Sequence, residues 1–508
     1  MNPLILKILL FTLVLAAEKK KGGKNLKGDK GAKGGKPAKK VPLSPAYDDT
    51  TNSLVFDRSK CISCQACVRA CKTVAGMNII RAVPGEGKKK VITAVDGKPF
   101  NETECVKCGQ CTLVCKPGAI MEKDQIEEVA SVLKNPGDKI TTCQVAPAVR
   151  IAISEAMGLP EGTISTGKLV TALKQLGFKY VFDTNYGADM TIVEEATELV
   201  SRLTKGTGPL PMFTSCCPAW VNYVEQSAPE IIPHLSSCRS PMGMLAPLVK
   251  EEFAQMQKVS TDKIYHVGIM PCIAKKDEIE REQLVMENGD KIVDKVISTR
   301  ELVRWIKDAG INYKDLPESN FDEPYSEASG GGAIFCATGG VMEAAVRTAY
   351  HIITGEELNP IEFEDARGLD GIKLGNLNIQ GKEYKIAVAQ GILNAQKLIS
   401  KVKKGDPRFK GVIFIEVMAC PGGCVNGGGA PKAKNKKAVE QRLDSTYEID
   451  EHSKARQSHN NKQLKDNYDI FIGEPNGHKA HEILHTQFKD RSKKNDKKGK
   501  KDKKDGKK

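Results

Sequence analysis

No apolar run in the chain approaches the ~20 residues that a membrane-spanning helix needs. The one that stands out, residues 8–17 (ILLFTLVLAA), stops at ten. Basic surplus is missing from the middle of the chain. The formal charge is +14, but residues 1–40 hold 11 lysines against Glu18 and Asp29, and residues 489–508 hold 12 Lys or Arg against 4 Asp. The two ends exceed the whole surplus, so the 448 residues between them are slightly acidic and no nucleic-acid partner is expected. Cysteine is absent before Cys61, and the 16 that follow are not spaced as a disulfide framework. Such usage points to a reducing compartment. That stands in tension with the start of the chain, where Lys7, the apolar run and the small residues closing it read as a secretory signal or short anchor. Membrane contact is expected only through residues 1–17.

What is present divides by composition. The Lys-rich stretches 18–40 and 489–508 hold few apolar residues and cannot bury enough surface to offset the entropy of ordering, so disorder is expected there. At 508 residues and 40% hydrophobic content the remainder supports several packed domains. A shift near residue 50 leads into a cysteine-rich stretch, and EKDQIEEVASVLKN after Ile120 reads as an amphipathic helix leaving it. From there to about residue 434, short Val/Ile-rich runs alternate with longer 3.6-period segments, an α/β pattern. Helices are predicted at 166–176, 191–203, 299–308 and 340–348, with Gly310 as a stop. Strands are predicted at 210–213, 264–269 and 412–417, and each runs into a loop that carries cysteine: TSCCPAW, MPCIAKKDE and MACPGGCVNGGGAP. Ligands in open α/β sheets sit at the carboxyl ends of strands, so these loops are expected to meet. HEILHTQF is the last apolar-periodic piece before the tail.

Eight cysteines form two runs of C-x2-C-x2-C-x3-C: Cys61, Cys64, Cys67, Cys71, and 44 residues later Cys105, Cys108, Cys111, Cys115. Soft thiolates suit iron–sulfur clusters or zinc, and three cysteines within seven residues plus a fourth favour [4Fe–4S]. In two-cluster ferredoxins the fourth cysteine of each run serves the other cluster. One set is then Cys61, Cys64, Cys67 and Cys115, the other Cys105, Cys108, Cys111 and Cys71. The proline that usually follows the fourth cysteine directly is replaced by Lys72 and Lys116, with Thr73 and Pro117 one step further.

If the three strand-end loops converge, Cys217, Cys272, Cys420 and Cys424 supply four thiolates for another cluster, and Gly422, Gly423 and Gly427 to Gly429 let backbone approach it. The paired Cys216 and Cys217 point to opposite sides of an extended segment, which suggests a division of labour. The three loops, in this order, resemble the three signature motifs of the [FeFe]-hydrogenases, within a similarity covering roughly residues 55–488. That resemblance implies an α/β catalytic domain of two lobes with cysteine loops at strand carboxyl ends, preceded by an α+β two-cluster ferredoxin-like domain. It implies an H-cluster: a [4Fe–4S] cluster on the four cysteines, bridged by Cys424 to a di-iron unit with CO, CN and dithiolate ligands. Lys275 would donate to a cyanide, Met270 and Met418 would offer soft walls, and Pro147 and Ser240 would complete the binding set. Cys217 is then a ligand, and Cys216 is left to move protons through Glu195, Ser236, Glu198 and Arg202. Glu195, Glu198 and Arg202 at i, i+3 and i+7 share one helix face. Read without the family, they are a charged solvent face.

The implied boundaries are a signal-like or anchor segment at 1–17, a disordered linker at 18–50, the two-cluster domain at 51–125, the H-cluster domain at 126–436, a small-subunit-like segment at 437–488 and a disordered tail at 489–508. The implied activity is reversible 2H⁺ + 2e⁻ ⇌ H2, with ferredoxin as electron partner and electrons entering at the two-cluster domain, since no cysteine precedes it. Maturation proteins that build and insert the di-iron unit are implied partners. The rivals are a hydrogenase-like iron–sulfur assembly factor and an H2 or redox sensor. Assembly factors of that kind lose the paired cysteines and alter the MPC loop, and a sensor would carry an added signalling domain. The expected compartment is reducing and low in oxygen, a hydrogenosome-like organelle or the cytoplasm. Cys143, Cys238 and Cys336 are left as buried small hydrophobes.

Overall fold

A computed structural model describes residues 42–85 and 89–492. The 1–17 segment, most of the 18–50 linker and the tail from 493 lie outside those residues. Among the described residues no helix is long and apolar enough to cross a membrane.

The cysteine-rich part is α+β. Strands β1 (Tyr47–Asp48), β2 (Leu54–Asp57) and β5 (Ile120–Glu122) form one antiparallel sheet, and β3 (Ile80–Pro84) pairs with β4 (Lys90–Ala94). The expected linker therefore ends earlier than residue 50. Tyr47 and Asp48 pair with Asp57 and Phe56, and the buried Asp48 accepts the Phe100 N–H at 2.7 Å. Lys/Gly composition carries no trace of that polar anchor.

Two four-stranded sheets make the catalytic part. One has the order β10–β9–β6–β7, from Lys295–Ser298, Ile264–Met270, Ile140–Val145 and Tyr180–Asp183, all parallel. The other has the order β11–β12–β13–β8, from Ile372–Ile379, Lys382–Gln390, Val412–Met418 and Met212–Phe213; only its edge strand β11 is antiparallel. β9 and β13 are buried at every position, as strands covered on both faces must be, so they read as apolar runs broken only by His266, which bonds Gln144 at 2.8 Å, and Glu416, which accepts the Gly339 N–H at 2.6 Å. β8 is shorter than the predicted 210–213, because Pro211 has no N–H for the ladder. The β11–β12 hairpin turns at Gln380 and Gly381, both with positive φ, as a tight hairpin requires.

Three predicted helices appear as Thr166–Gln175, Thr299–Asp308 and Gly340–Thr354. Ser298 and Glu301 close a capping box at the start of the second, and Gly310 at φ +69° follows its end. The fourth, predicted at 191–203, begins seven residues earlier as Thr184–Lys205. Asp183 caps it by accepting the Asn185 N–H at 2.9 Å, and Gly187 lets it pass under Pro241, whose carbonyl would lie 2.3 Å from any Cβ there. Tertiary packing overrides the weak propensity of TNYGADM.

The C-terminal segment is tied to this body by buried charges. Its long helix, Lys436–Glu451, starts at residue 436, so the expected boundary falls within its first turn. Arg442 pairs with Glu155 at 2.8 Å, and Asp450 with Arg347 at 2.9 Å. The expected disordered tail is ordered at its start: Arg491 donates its N–H to Glu225 O at 2.9 Å and pairs with the Glu225 carboxylate at 2.8 Å.

Candidate active site

The carboxyl ends of β8, β9 and β13 open on one buried cavity. Cys216 and Cys217 reach it from the first, Cys272 and Lys275 from the second, Cys420 and Cys424 from the third. Met270, Met418 and Pro147 also line it. Burial pushes the Cys420 thiol well above its usual range, and its neighbours Cys272, Cys217 and Cys424 push it the same way. Four such thiols cannot ionise together without a cationic centre among them, which is the donor set of a [4Fe–4S] cluster.

Backbone proximity around this cavity requires glycine at two places. Gly423, at φ +87°, passes so near the 336–338 turn that a Cβ would lie 2.7 Å from Cys336 O and Thr338 N. At Gly428 a Cβ would sit 2.1 Å from Cys108 O. The loop after β13 is thereby pressed onto the second ferredoxin-type run, and Cys108 itself lines the cavity. Arg300 clamps the contact: its guanidinium donates to Ala430 O at 3.0 Å and Thr112 Oγ1 at 2.8 Å and pairs with Glu122 at 2.6 Å. Lys107 pairs with Asp277 of the MPC loop at 2.9 Å.

In the ferredoxin-like part, Cys61, Cys64, Cys67 and Cys115 line one small cavity. Burial pushes the Cys67 thiol up to about 12, with Cys115, Cys61 and Cys64 adding to it. Cys108, Cys105 and Cys71 raise Cys111 in the same way, after its burial, followed by Cys67 of the other set. These groupings match the crossed assignment in which Cys71 and Cys115 exchange clusters. Backbone amides point at the sulfurs, Ile79 N–H at Cys71 Sγ over 3.2 Å and Ile120 N–H at Cys115 Sγ over 3.4 Å. The residues present therefore fit two [4Fe–4S] clusters as well as the third.

Lys275 is buried, and its Nζ lies 2.6 Å from Glu278 Oε2 but makes no directed hydrogen bond there or elsewhere. A buried ammonium without a directed acceptor at a cavity wall suits an anionic ligand in that cavity. Glu278 lies within MPCIAKKDE, yet its pairing with Lys275 was not read from it. Ser240 does not line the cavity. Its hydroxyl accepts the Gly243 N–H at 3.3 Å as the cap of helix Pro241–Leu248, whose Pro241 and Met242 are the lining residues. Phe335 and Cys336 line the cavity without any sequence signal having marked them.

Glu195, Glu198 and Arg202 occupy one face of helix Thr184–Lys205, and that face is turned inward, buried at Glu195 and Arg202 and half-buried at Glu198. Burial pushes the Glu195 carboxyl up to about 8, with the Glu198 charge adding to it, and neither of its oxygens has a hydrogen-bond partner. Ser236 Oγ donates to Glu198 Oε2 at 2.9 Å, and Arg202 holds Glu198 Oε1 at 2.6 Å. Of the three cysteines left without a role, Cys143 is buried within β6, Cys336 faces the cavity, and Cys238 Sγ stands 4.0 Å from Glu198 Oε2.

Convergent thiols at three strand ends, with two further sets feeding toward them, define an oxidoreductase built around iron–sulfur clusters. Comparison with known proteins narrows this. The family "Iron only hydrogenase large subunit, C-terminal domain" matches residues 139–428, "Iron hydrogenase small subunit" matches 436–491, and "4Fe-4S dicluster domain" matches 60–119. Iron hydrogenase 1 of Clostridium pasteurianum is 44% identical over 87% of this chain and 77% of its own length. The solved structure of an apo [FeFe]-hydrogenase HydA1 variant from Chlamydomonas reinhardtii matches with a TM-score of 0.65 at 40% identity, covering 73% of this chain and 100% of that one. Protein NAR1 of Arabidopsis thaliana is more distant, 30% identical over 73% of this chain and 81% of its own length. The chain belongs to the iron-only, or [FeFe], hydrogenases.

Proposed function

We propose that this hydrogenase exchanges electrons with a ferredoxin through two [4Fe–4S] clusters and moves protons through a relay that starts at Cys216. The observation that carries the reading is the single cavity lined by Cys217, Cys272, Cys420 and Cys424 with Cys216 and Lys275 beside them. When bound, the H-cluster supplies the reversible interconversion of 2H⁺ and 2e⁻ with H2. The four thiolates would hold its [4Fe–4S] part, with Cys424 as the bridge to the di-iron unit. Lys275 Nζ would donate to an anionic ligand of that unit, while Met270, Met418 and Pro147 keep water away from it. Cys216 Sγ would hold the proton nearest the reacting site.

Glu195 suits the next position. A carboxyl with a pKa near 8 carries its proton at neutral pH and gives it up at little cost, the condition for a general acid and base. The Ser236 hydroxyl would pass the proton on to Glu198 Oε2, and Arg202 keeps that carboxylate oriented. Electrons would enter at Cys61, Cys64, Cys67 and Cys115 and leave through the set that includes Cys108, which shares the cavity wall with Cys420. Proteins that build and insert the di-iron unit are expected partners, in a reducing, low-oxygen compartment.

The test is methyl-viologen-driven H2 output from anaerobically matured protein. Normal cofactor content without turnover would defeat the enzyme reading. The assembly-factor reading lacks support from the site, which keeps both Cys216 and the intact MPC loop at the cavity. Cys216→Ala separates the two: a hydrogenase keeps its clusters and loses turnover, whereas an assembly factor is indifferent.

A further inference from the structure

Away from the clusters, three potential ligand side chains meet where the C-terminal segment crosses the end of helix Gly340–Thr354. His351 lies in the last turn of that helix, Glu357 follows Gly355, whose φ of +74° turns the chain back, and His459 comes from the turn Ser458–Asn460. Glu357 Oε1 is 3.2 Å from His459 Nε2 and 3.5 Å from His351 Nδ1, and the three ligand atoms all lie within 4.8 Å of one another. A tetrahedral ion with bonds of 2.0–2.1 Å has ligand-to-ligand edges of about 3.3 Å, so these spacings already approach those around zinc.

We propose that His351, Glu357 and His459 form a divalent-metal site, best suited to Zn²⁺ with water as fourth ligand, that staples this helix end to the C-terminal segment. The second observation in its favour is that His351 Nδ1 is shielded from solvent and makes no hydrogen bond, although it faces Glu357. The supporting contacts are those that orient metal ligands. Thr348 Oγ1 lies 3.1 Å from His459 Nδ1, one helical turn before His351, so it can take the proton of that nitrogen and leave Nε2 with its lone pair. Asn460 Nδ2 donates to Glu357 Oε1 at 3.0 Å and fixes the carboxylate. The two rings stack with centroids 4.2 Å apart, and binding would tilt them toward the common corner. The site is partly exposed, and none of its three side chains lines the cluster cavities, so its role is to hold structure.

The test uses the full-length, cluster-loaded protein, washed anaerobically with a chelator and dialysed against Zn²⁺, with zinc and iron counted by mass spectrometry. One zinc per chain beyond the iron is expected, bound about tenfold or more weakly in His459→Gln and in Glu357→Gln. Zinc-edge X-ray absorption should report nitrogen and oxygen ligands without sulfur. Zinc should raise the unfolding temperature of the parent protein and leave that of the variants unmoved. No zinc retained by the parent, equal retention in both variants, or sulfur in the zinc shell would each overturn the proposal. None of these readouts depends on hydrogenase activity, and all three side chains lie outside the cluster sites.

Discussion

Gly428 and Cys108 are in backbone contact across the boundary between the ferredoxin-like and catalytic parts: a side-chain carbon on the glycine would stand 2.1 Å from the cysteine carbonyl. The obstacle is backbone, which cannot swing aside as a flexible side chain would. Gly428→Ala should therefore push the second cluster loop away from the loop holding Cys420 and Cys424. Viologen- or ferredoxin-driven H2 output should fall about a hundredfold, the order expected for an ångström-scale misplacement. Hydrogen–deuterium exchange at the active site, which needs no external electrons, should be better preserved. Equal loss of both would mean that the contact positions more than the electron path.

Cys216→Ala and Glu195→Gln should each lower turnover by about 10²–10⁴-fold, the usual weight of a positioned proton donor. Iron content and the electron-paramagnetic signals of the clusters should stay at parent levels. The glutamine change is the cleaner test, since it keeps the shape of a side chain whose two oxygens have no hydrogen-bond partner.

Glu195 also predicts a pH dependence of stability. Its folded pKa, near 8, lies above the ordinary carboxyl value of 4.5, so between those limits the folded chain binds the proton that the unfolded chain has released. Stability from this group is full below about pH 4.5 and is lost as pH rises through about 8. Urea melts across that window should show a shallower decline for Glu195→Gln than for the parent. Parallel curves would mean that Glu195 is ionised in the folded protein.

Removing Lys275 should uncouple the two halves of the H-cluster. Lys275→Met keeps the length of the side chain and removes its donor, so the four-cysteine cluster should load normally while the di-iron unit is lost. Infrared bands of CO and CN ligands, compared with total iron, will show whether only the former disappears.

Arg347 and Asp450 form a fully buried ion pair that binds the C-terminal helix to the core. Breaking one partner of such a pair leaves a buried charge and typically costs about 3–5 kcal/mol. Asp450→Asn should accordingly lower the unfolding midpoint, and Arg456, which also pairs with Asp450 at 2.6 Å, loses a partner in the same variant.

Much of this site was legible because its chemistry is local in sequence. Each C-x2-C-x2-C-x3-C run keeps three ligands of a cluster within seven residues, each strand-end loop is a recognisable motif by itself although Cys217, Cys272 and Cys420 lie far apart in the chain, and Val/Ile-rich runs such as 264–269 and 412–417 announce buried strands. Contacts made at long range were not legible. Phe335 and Cys336 reach the cavity only because Gly423 brings two distant turns together, and no periodicity encodes that. Ser240 illustrates the reverse error: it belongs to the right loop but spends its hydroxyl on capping a helix. The face carrying Glu195, Glu198 and Arg202 looks solvated from its charges alone, and only the packing of neighbouring helices shows that it is inside. At the termini, single polar anchors, Asp48 on Phe100 and Arg491 on Glu225, order stretches that composition would leave loose.

Cys216 and Cys217 are separated by one peptide unit, so the proposed routes for protons and electrons diverge across a single backbone link. A shift of that strand end would disturb both at once. A packing defect under Phe213 or Trp220 is thus expected to impair both routes together, unlike Cys216→Ala, which spares the clusters.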